Sequence, residues 1–243
     1  MLTPLLIGTA SLAGRRWGSS ISGWLVGFPF TSGPITLFLF LDHGAAFATN
    51  AVVGSMLGIF ATIAWALSYS AVAQRGAGLA LSVAAGLVSF AVLGTAMRDL
   101  TVAPLVLYLA LVIALIVGIR ATPASLTHYG VRLPSWDLPA RMILATVLVL
   151  TITNAAVLLG PRLAGLLATV PLYASILAGF GHTLAGPRAA IDVWRGLLFG
   201  LFGFGAFYLM LALFLEPLGL AAFGLAVTAA LVTQLVTLRV LRS

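Results

Sequence analysis

Long apolar runs recur along the whole chain, and the few charged residues lie between them. Of the 243 residues, 62% are hydrophobic and only 7% are charged, and the mean hydropathy is +1.18. So few polar side chains cannot cover the surface of a water-soluble domain. Apolar runs of about 18 or more residues are typical of transmembrane helices, whereas a membrane barrel would show short alternating strands. The chain is therefore predicted to be an all-α, polytopic integral membrane protein.

The runs predict about nine transmembrane helices, with one long connection at 120–140. That connection holds several prolines, which is typical of a linker. The expected spans are 1–14, 19–41, 45–73, 78–97, 101–119, 139–159, 162–182, 189–215 and 218–238.

The arginines predict how these spans are oriented. The twelve basic residues are all arginine. If the N-terminus is outside, ten of them fall on the inside, and only Arg98 and Arg162 fall outside. This distribution follows the positive-inside rule, so the C-terminus is expected in the cytoplasm. Orientation explains the positive charge, and no nucleic acid partner is expected.

The segment Trp17–Gly44 is long enough to cross a membrane, yet Pro29, Gly33 and Pro34 interrupt its middle. A broken helix at bilayer depth leaves backbone groups without helical partners, and it is tolerated only where protein or a cavity satisfies them. Interrupted segments at matching positions of two halves indicate the binding site of a transporter.

A second copy of this segment appears when the chain is shifted by 142 residues. The shift aligns Pro29 with Pro171 and Gly44 with Gly186. Of the seven glycines within 18–67, five meet glycine, whereas a frequency of 26 in 243 residues gives about one by chance. The sequence therefore predicts an internal repeat.

Five spans separate each pair of equivalent spans, and because five is odd the two copies have opposite orientations. The predicted architecture is a 4+1+4 inverted repeat. Its parts are a first repeat at 1–97, an inverter helix with a cytoplasmic linker at 98–138, and a second repeat at 139–243. Glycines four residues apart at 23–27, 54–58 and 196–200 predict that the second and third spans of each half pack closely.

The second half carries the run GPRLAGLLATVPLYASI from Gly160, the turn at Gly186 and the run FYLMLALFL from Phe207. In these features it resembles the GlpM family of small bacterial inner-membrane proteins. The four-span members of that family look like the small multidrug-resistance proteins in size, and fused inverted copies would parallel the larger drug/metabolite transporters. The resemblance implies a bacterial inner membrane as the location and transport as a class of function, and it implies no particular substrate.

The two breaks hold most of the candidate substrate-binding residues. Proline removes an amide donor and frees a carbonyl one turn earlier, so hydroxyls and freed backbone groups are expected to line a polar site. The alternative is a packing kink in which Ser and Thr bond back to their own helix. The candidates are Pro29, Thr31, Ser32, Gly33, Pro34, Thr36, Pro171, Tyr173 and Ser175, with the amides Asn50 and Asn154.

Six ionisable residues near the ends of spans are candidates for proton or ion coupling or for a gate. Histidine titrates near physiological pH, and a spacing of four and then three residues places the last three candidates on one helical face. The structural alternatives are a solvated loop, an interfacial histidine and an ion network that anchors a helix. The candidates are Asp42, His43, His182, Arg188, Asp192 and Arg195.

These features predict a secondary transporter or flippase that moves a small neutral or amphipathic molecule by alternating access between spans 2 and 7. The alternative is a non-transporting scaffold or partner of an envelope lipid or polysaccharide enzyme. No catalytic motif, P-loop or metal-ligand spacing occurs in the sequence, so enzymatic activity, cofactors and metals are not expected. The expected partners are the lipid bilayer and a small-molecule substrate, and no oligomeric state is predicted.

Overall fold

The computed structural model of the chain describes residues 2–29, 32–123 and 166–242, together with six residues between 139 and 147. Within this part the chain is helical and contains no strand. The helices are α1 (Leu2–Trp17), α2 (Ser19–Val26), α3 (Ser32–His43), α4 (Ala45–Gln74), α5 (Leu79–Met97), α6 (Pro104–Ala121), α7 (Leu172–Ala185), α8 (Pro187–Leu218) and α9 (Ala221–Arg242).

Five of these helices are long and apolar enough to cross a membrane, namely α4, α5, α6, α8 and α9. They begin and end within a few residues of the predicted spans: α4 was expected at 45–73, and α8 at 189–215. The all-helical class is confirmed, and the five apolar helices indicate a membrane-embedded protein.

The other predicted spans differ from single long helices. The first is α1, whose 16 residues fall short of the roughly 20 needed to cross a bilayer. The second is divided into α2 and α3, and the seventh is helical mainly in the 14 residues of α7. The sixth, at 139–159, lies almost entirely outside the described residues. The count of nine spans therefore stays a prediction.

Helices α4 and α8 form the centre of the described structure. In the most apolar window of each, 72% is buried, against 22–28% for α5, α6 and α9. The outer helices expose large apolar side chains such as Leu81, Val88 and Ile113. Lipid tails are as apolar as these side chains, so helix association depends on close packing and polar contacts between helices.

A close approach between backbones joins α2 to α8. Gly23 lies against the backbone of α8, and Gly27 faces Gly200. Gly196 lies so close to Ser20 that an added Cβ would overlap the serine carbonyl. The second and third spans of each half do contact each other, but Gly23, Gly27, Gly196 and Gly200 do not make that contact. They join α2 to α8, because both touching faces carry glycine every four residues.

Gly44 and Gly186 make the same turn before the two central helices. Their φ and ψ angles are 83° and 176° for Gly44, and 91° and 175° for Gly186. A positive φ is readily adopted by glycine and disfavoured for other residues. One turn leads into α4 at Ala45, and the other leads into α8 at Pro187.

Candidate functional site

The first interruption lies between α2 and α3. Helix α2 ends at Val26, and α3 begins at Ser32. Pro29 is buried within the interruption, and its carbonyl accepts a hydrogen bond from the Gly33 amide at 3.0 Å. The proline thus lies at the entrance to α3, where the amide that it lacks has no helical partner.

The second interruption precedes α7 and is centred on Pro171. The Leu172 amide donates to the Val170 carbonyl at 2.8 Å, and Pro171 has φ −79° and ψ 58°. This is the geometry of an inverse γ-turn. The backbone therefore leaves the helical path just before Pro171, and the carbonyl of Thr169 is left without an amide donor from its own segment.

A small cavity of about 50 Å³ lies between the two interruptions. That volume holds a few water molecules. Among the described residues, no charged side chain lines the cavity. The first interruption contributes Val26 and Phe28, the second contributes residues 168–174, α4 contributes Thr62, and α8 contributes Leu197, Leu201 and Phe204.

The hydroxyl of Thr62 joins α4 to the second interruption at the wall of this cavity. Its Oγ1 lies 2.8 Å from the carbonyl oxygen of Thr169 and 3.0 Å from that of Gly58 in its own helix. Thr62 is buried, as is Thr169, whose own hydroxyl donates to the Leu166 carbonyl at 2.6 Å. A carbonyl freed by the break is thus satisfied by a side chain from another helix, as a broken helix at membrane depth requires.

Four hydroxyl groups meet between α3, α4 and α8 at one end of the cavity. The hydroxyl of Tyr208 lies 3.4 Å from that of Thr36 and is also close to those of Ser32 and Ser55. All four residues are buried. Gly33 adds a tight contact, because a Cβ there would lie 3.3 Å from the ring of Phe207. Ser32, Thr36, Ser55 and Tyr208 are called the Tyr208 cluster below.

A group of aromatic side chains and one histidine lies at the other end of the cavity. The Tyr69 hydroxyl on α4 lies 2.8 Å from Nδ1 of His182 on α7. The ring of Trp194 on α8 packs against Tyr69 at 5.3 Å and against Trp65 at 6.2 Å between centroids. Tyr69 and Trp194 are fully buried, and His182 is half-buried. Trp65, Tyr69, His182 and Trp194 are called the His182 cluster below.

Helical spacing places the two clusters on opposite sides of the cavity. On α8, Trp194 precedes the cavity residue Leu197 by three positions, and Tyr208 follows the cavity residue Phe204 by four. Phe204 and Tyr208 are in ring contact at 5.0 Å. Residues three or four apart share one face of a helix. The same face therefore leads from the cavity to the His182 cluster in one direction and to the Tyr208 cluster in the other.

Several predicted site residues lie away from this arrangement. Pro34 and Asn50 are exposed, and the Asn50 amide donates to the Ala46 carbonyl in its own helix at 2.9 Å. Ser175 is half-buried one turn beyond Pro171 and does not line the cavity. Thr31 and Asn154 lie outside the described residues. Pro29 is buried in the first interruption but does not line the cavity. The candidates brought to the cavity or to its two ends are Ser32, Gly33, Thr36, Pro171, Tyr173 and His182.

The first ionisable pair, Asp42 and His43, lies at the end of α3 and is exposed, with the His43 ring against Phe47 at 4.5 Å. Its position fits the solvated alternative. Neither side chain approaches the cavity or its two clusters.

The three charged residues at the start of α8 do not act as one surface network. Arg188 is exposed and Asp192 is buried. Arg195 donates from Nη1 to the carbonyls of Ile119, at 2.7 Å, and Thr122, and its guanidinium lies over the ring of Phe199. Basic groups at the C-terminus of a helix stabilise its last carbonyls. Arg195 therefore fastens α8 to the end of α6, and Asp192 acts on it electrostatically.

The structure adds functional candidates that the sequence interpretation missed. Thr62, Leu197, Leu201 and Phe204 line the cavity, although none lies in a broken segment. Apolar residues within apolar spans give no sequence signal. Tyr69 and Tyr208 did offer one, because a phenol hydroxyl inside a long apolar run needs a hydrogen-bond partner.

Comparison with known proteins gives no relative from which to transfer a function. The chain matches no family model, no curated protein and no solved structure. The resemblance of the second half to the GlpM family therefore stays a prediction. Among the described residues, no three His, Asp or Glu side chains lie together as metal ligands.

Proposed function

We propose that this protein is a secondary transporter or flippase that moves a small neutral or amphipathic molecule across the membrane. The observation that carries this proposal is the cavity that lies between the two helix interruptions. Transporter sites form at such interruptions, where irregular backbone is tolerated because it lines a cavity. The proposed location is a bacterial inner membrane, with the N-terminus outside and the C-terminus in the cytoplasm.

An inverted repeat is the architecture that we propose for this transporter. Helices α4 and α8 begin 142 residues apart, as do α5 and α9. Two contacts are also related by that shift: Gly27 faces Gly200, and Thr169 faces Gly58. Equivalent contacts between the two halves are expected if a pseudo-two-fold axis relates them. These spacings and contacts support the repeat that was inferred from glycine and proline positions.

Single cysteines test the inversion directly, because the native chain contains none. Gln74 and Glu216 are equivalent under the shift, as are Arg98 and Val240, and all four are exposed. With an impermeant maleimide in intact cells, Glu216→Cys and Arg98→Cys are expected to react from outside, and Gln74→Cys and Val240→Cys only after permeabilisation. Reaction of both members of a pair from the same side would exclude the inverted arrangement.

The lining of the cavity supports a neutral or amphipathic substrate. Apolar and aromatic side chains dominate, and the polar groups are the Thr62 and Thr169 hydroxyls, the Tyr173 side chain and the backbone of the second interruption. A bare ion would meet no opposite charge among the described residues that line the cavity. Sites for drug-sized ligands occupy about 300–1,000 Å³, so the walls must separate to admit a substrate. Such a movement breaks the contacts within the Tyr208 cluster and those within the His182 cluster, one cluster at a time.

Flux through proteoliposomes tests the proposal, with Thr62→Val as the diagnostic variant. Valine keeps the shape of threonine and removes the hydroxyl that satisfies the Thr169 carbonyl at the cavity wall. Flux of any solute that the native protein moves is expected to fall about tenfold, which corresponds to the loss of one buried hydrogen bond. The assay should cover a panel of small neutral and amphipathic solutes and fluorescent lipids.

Thr228→Val is the matched control for this experiment. Thr228 donates a hydrogen bond to the carbonyl four residues earlier, as Thr62 does. It is, however, exposed on α9 and does not line the cavity. Its flux should equal that of the native protein. If the native protein moves no member of the panel and an envelope enzyme co-purifies with it, the scaffold alternative replaces the transporter.

A further inference from the structure

The hydrogen bond between Tyr69 and His182 joins the two proposed repeats on one side of the cavity. Tyr69 belongs to α4, and His182 belongs to α7, the helix that follows the second interruption. Ala174 lines the cavity, and Ala178 and His182 follow at intervals of four on the same helix. A passage opened from the cavity toward this side would therefore run past Ala178 and reach the Tyr69–His182 pair.

The two ends of the cavity differ in their chemistry. The Tyr208 cluster contains only hydroxyl groups, which stay neutral near physiological pH. The His182 cluster contains an imidazole, which gains a charge between about pH 5 and 8. Proton binding can therefore act on one end and leave the other unchanged.

Protonation removes the acceptor on which the Tyr69 hydroxyl depends. In neutral imidazole an unprotonated Nδ1 accepts the tyrosine proton at 2.8 Å. When Nδ1 is protonated it becomes a donor to the tyrosine oxygen, and the proton of the tyrosine O–H then has no acceptor. Among the described residues, no other hydrogen bond is made by the Tyr69 hydroxyl. A buried O–H without an acceptor, beside a new positive charge, destabilises the closed arrangement.

Among the described residues, four charged groups lie in the first turns of α8 or just after the end of α4, on the same side of the cavity as His182. Helix α7 packs against α8, α2 and α5, and α2 and α5 contain no titratable side chain. On α8, Arg188 is exposed, Arg195 is fastened to the end of α6, and Asp192 acts on Arg195. On α4, Arg75 lies exposed beyond the last turn. In the open form, water that enters from the His182 side stabilises the positive charge of the imidazolium.

We propose that His182 is a proton-binding site and that its protonation opens the cavity on the His182 side, the side predicted to face the cytoplasm. The inference rests on the proposed transport function and assigns its regulation. The closed form binds the proton more weakly than the open, hydrated form. Falling pH therefore shifts the population from closed to open, and rising pH restores the Tyr69–His182 bond.

Accessibility of a cysteine between the cavity and the pair tests this inference without any transported solute. Ala178 is fully buried on the proposed passage, and Ala178→Cys is a small change. Its alkylation by a maleimide in purified protein is measured from pH 8 to pH 5.5 and divided by the rate at exposed Gln74→Cys. This ratio is expected to rise about tenfold as the pH falls through the imidazole range.

Two variants in the Ala178→Cys background separate the proton from other causes. His182→Gln keeps a neutral acceptor for Tyr69, so the ratio should stay low at every pH. Tyr69→Phe removes the bond and keeps the ring, so the ratio should be high at every pH. A monodisperse elution profile of each variant checks that it is folded.

A ratio that does not change with pH in the native background, or that rises equally with His182→Gln, overturns the proton-binding role. Absence of flux in proteoliposomes overturns the transport function instead. The two failures are distinguishable because the alkylation experiment contains no substrate.

Discussion

Replacing Gly196 by alanine is expected to lower the free energy of unfolding by about 1–3 kcal/mol, the usual effect of forcing an extra group into a packed contact. An added Cβ at this position would overlap the carbonyl of Ser20 in α2. The obstacle is backbone, which has no rotamer to change. Helix α2 must therefore move away from α8, and the Gly27–Gly200 contact one turn further along must loosen with it.

Gly224→Ala is the matched control for Gly196→Ala. Both are glycine-to-alanine changes within long apolar helices, and no heavy atom lies within 4 Å of the Cβ position at Gly224. Alanine favours a helix over glycine by up to about 1 kcal/mol, so this variant is expected to be neutral or slightly more stable. Thermal unfolding in detergent, followed by helical circular dichroism, measures both. Equal melting temperatures for the two variants would contradict the α2–α8 contact.

Replacing Ala174 by leucine is expected to abolish transport and leave the helical fold in place. Ala174 is 1% exposed and lies on the cavity wall, beside the second interruption. Leucine adds three carbon atoms, which occupy much of a cavity of about 50 Å³. The variant fills the space between the interruptions, through which the proposed substrate would pass. Flux in proteoliposomes is expected to fall by about tenfold or more.

The control for this variant is Ala84→Leu on α5. Ala84 is exposed, so the added carbons project into lipid, which is as apolar as leucine itself. Its flux should match that of the native protein. A second cavity variant, Ala174→Val, adds less bulk and should reduce flux by a smaller factor. If Ala174→Leu elutes as a folded protein and still transports at the native rate, the cavity is not on the substrate path.

The sequence predicts the local features of this chain well. A long apolar run defines a helix wherever nothing interrupts it, which is why α4, α5 and α8 begin and end close to the expected residues. Pro29 and Pro171 mark the two interruptions, since proline cannot continue a helix from the preceding turn. Gly44 and Gly186 mark sharp turns for the same local reason, because a positive φ favours glycine.

The sequence does not indicate which of these elements contact each other. Gly196 is recognisable as a small residue on a helix, but nothing near it in the sequence indicates that Ser20 lies opposite. Nor does His182 indicate Tyr69, which is 113 positions away. Most spans are apolar throughout, so many pairings of helices are chemically equivalent at the level of sequence. Close shape complementarity of backbones and side chains selects among them.

Thr62 and Thr228 illustrate what the sequence determines and what only the tertiary structure decides. Each hydroxyl donates to the carbonyl of a glycine four residues earlier in its own helix, at 3.0 Å and 2.9 Å. From the sequence alone the two threonines are equivalent. Only the tertiary structure brings the freed carbonyl of Thr169 to within 2.8 Å of Thr62, while Thr228 stays exposed. The sequence by itself determines where helices form and break, because those preferences are local. The tertiary structure decides which polar group meets each break, because that depends on the packing of distant segments.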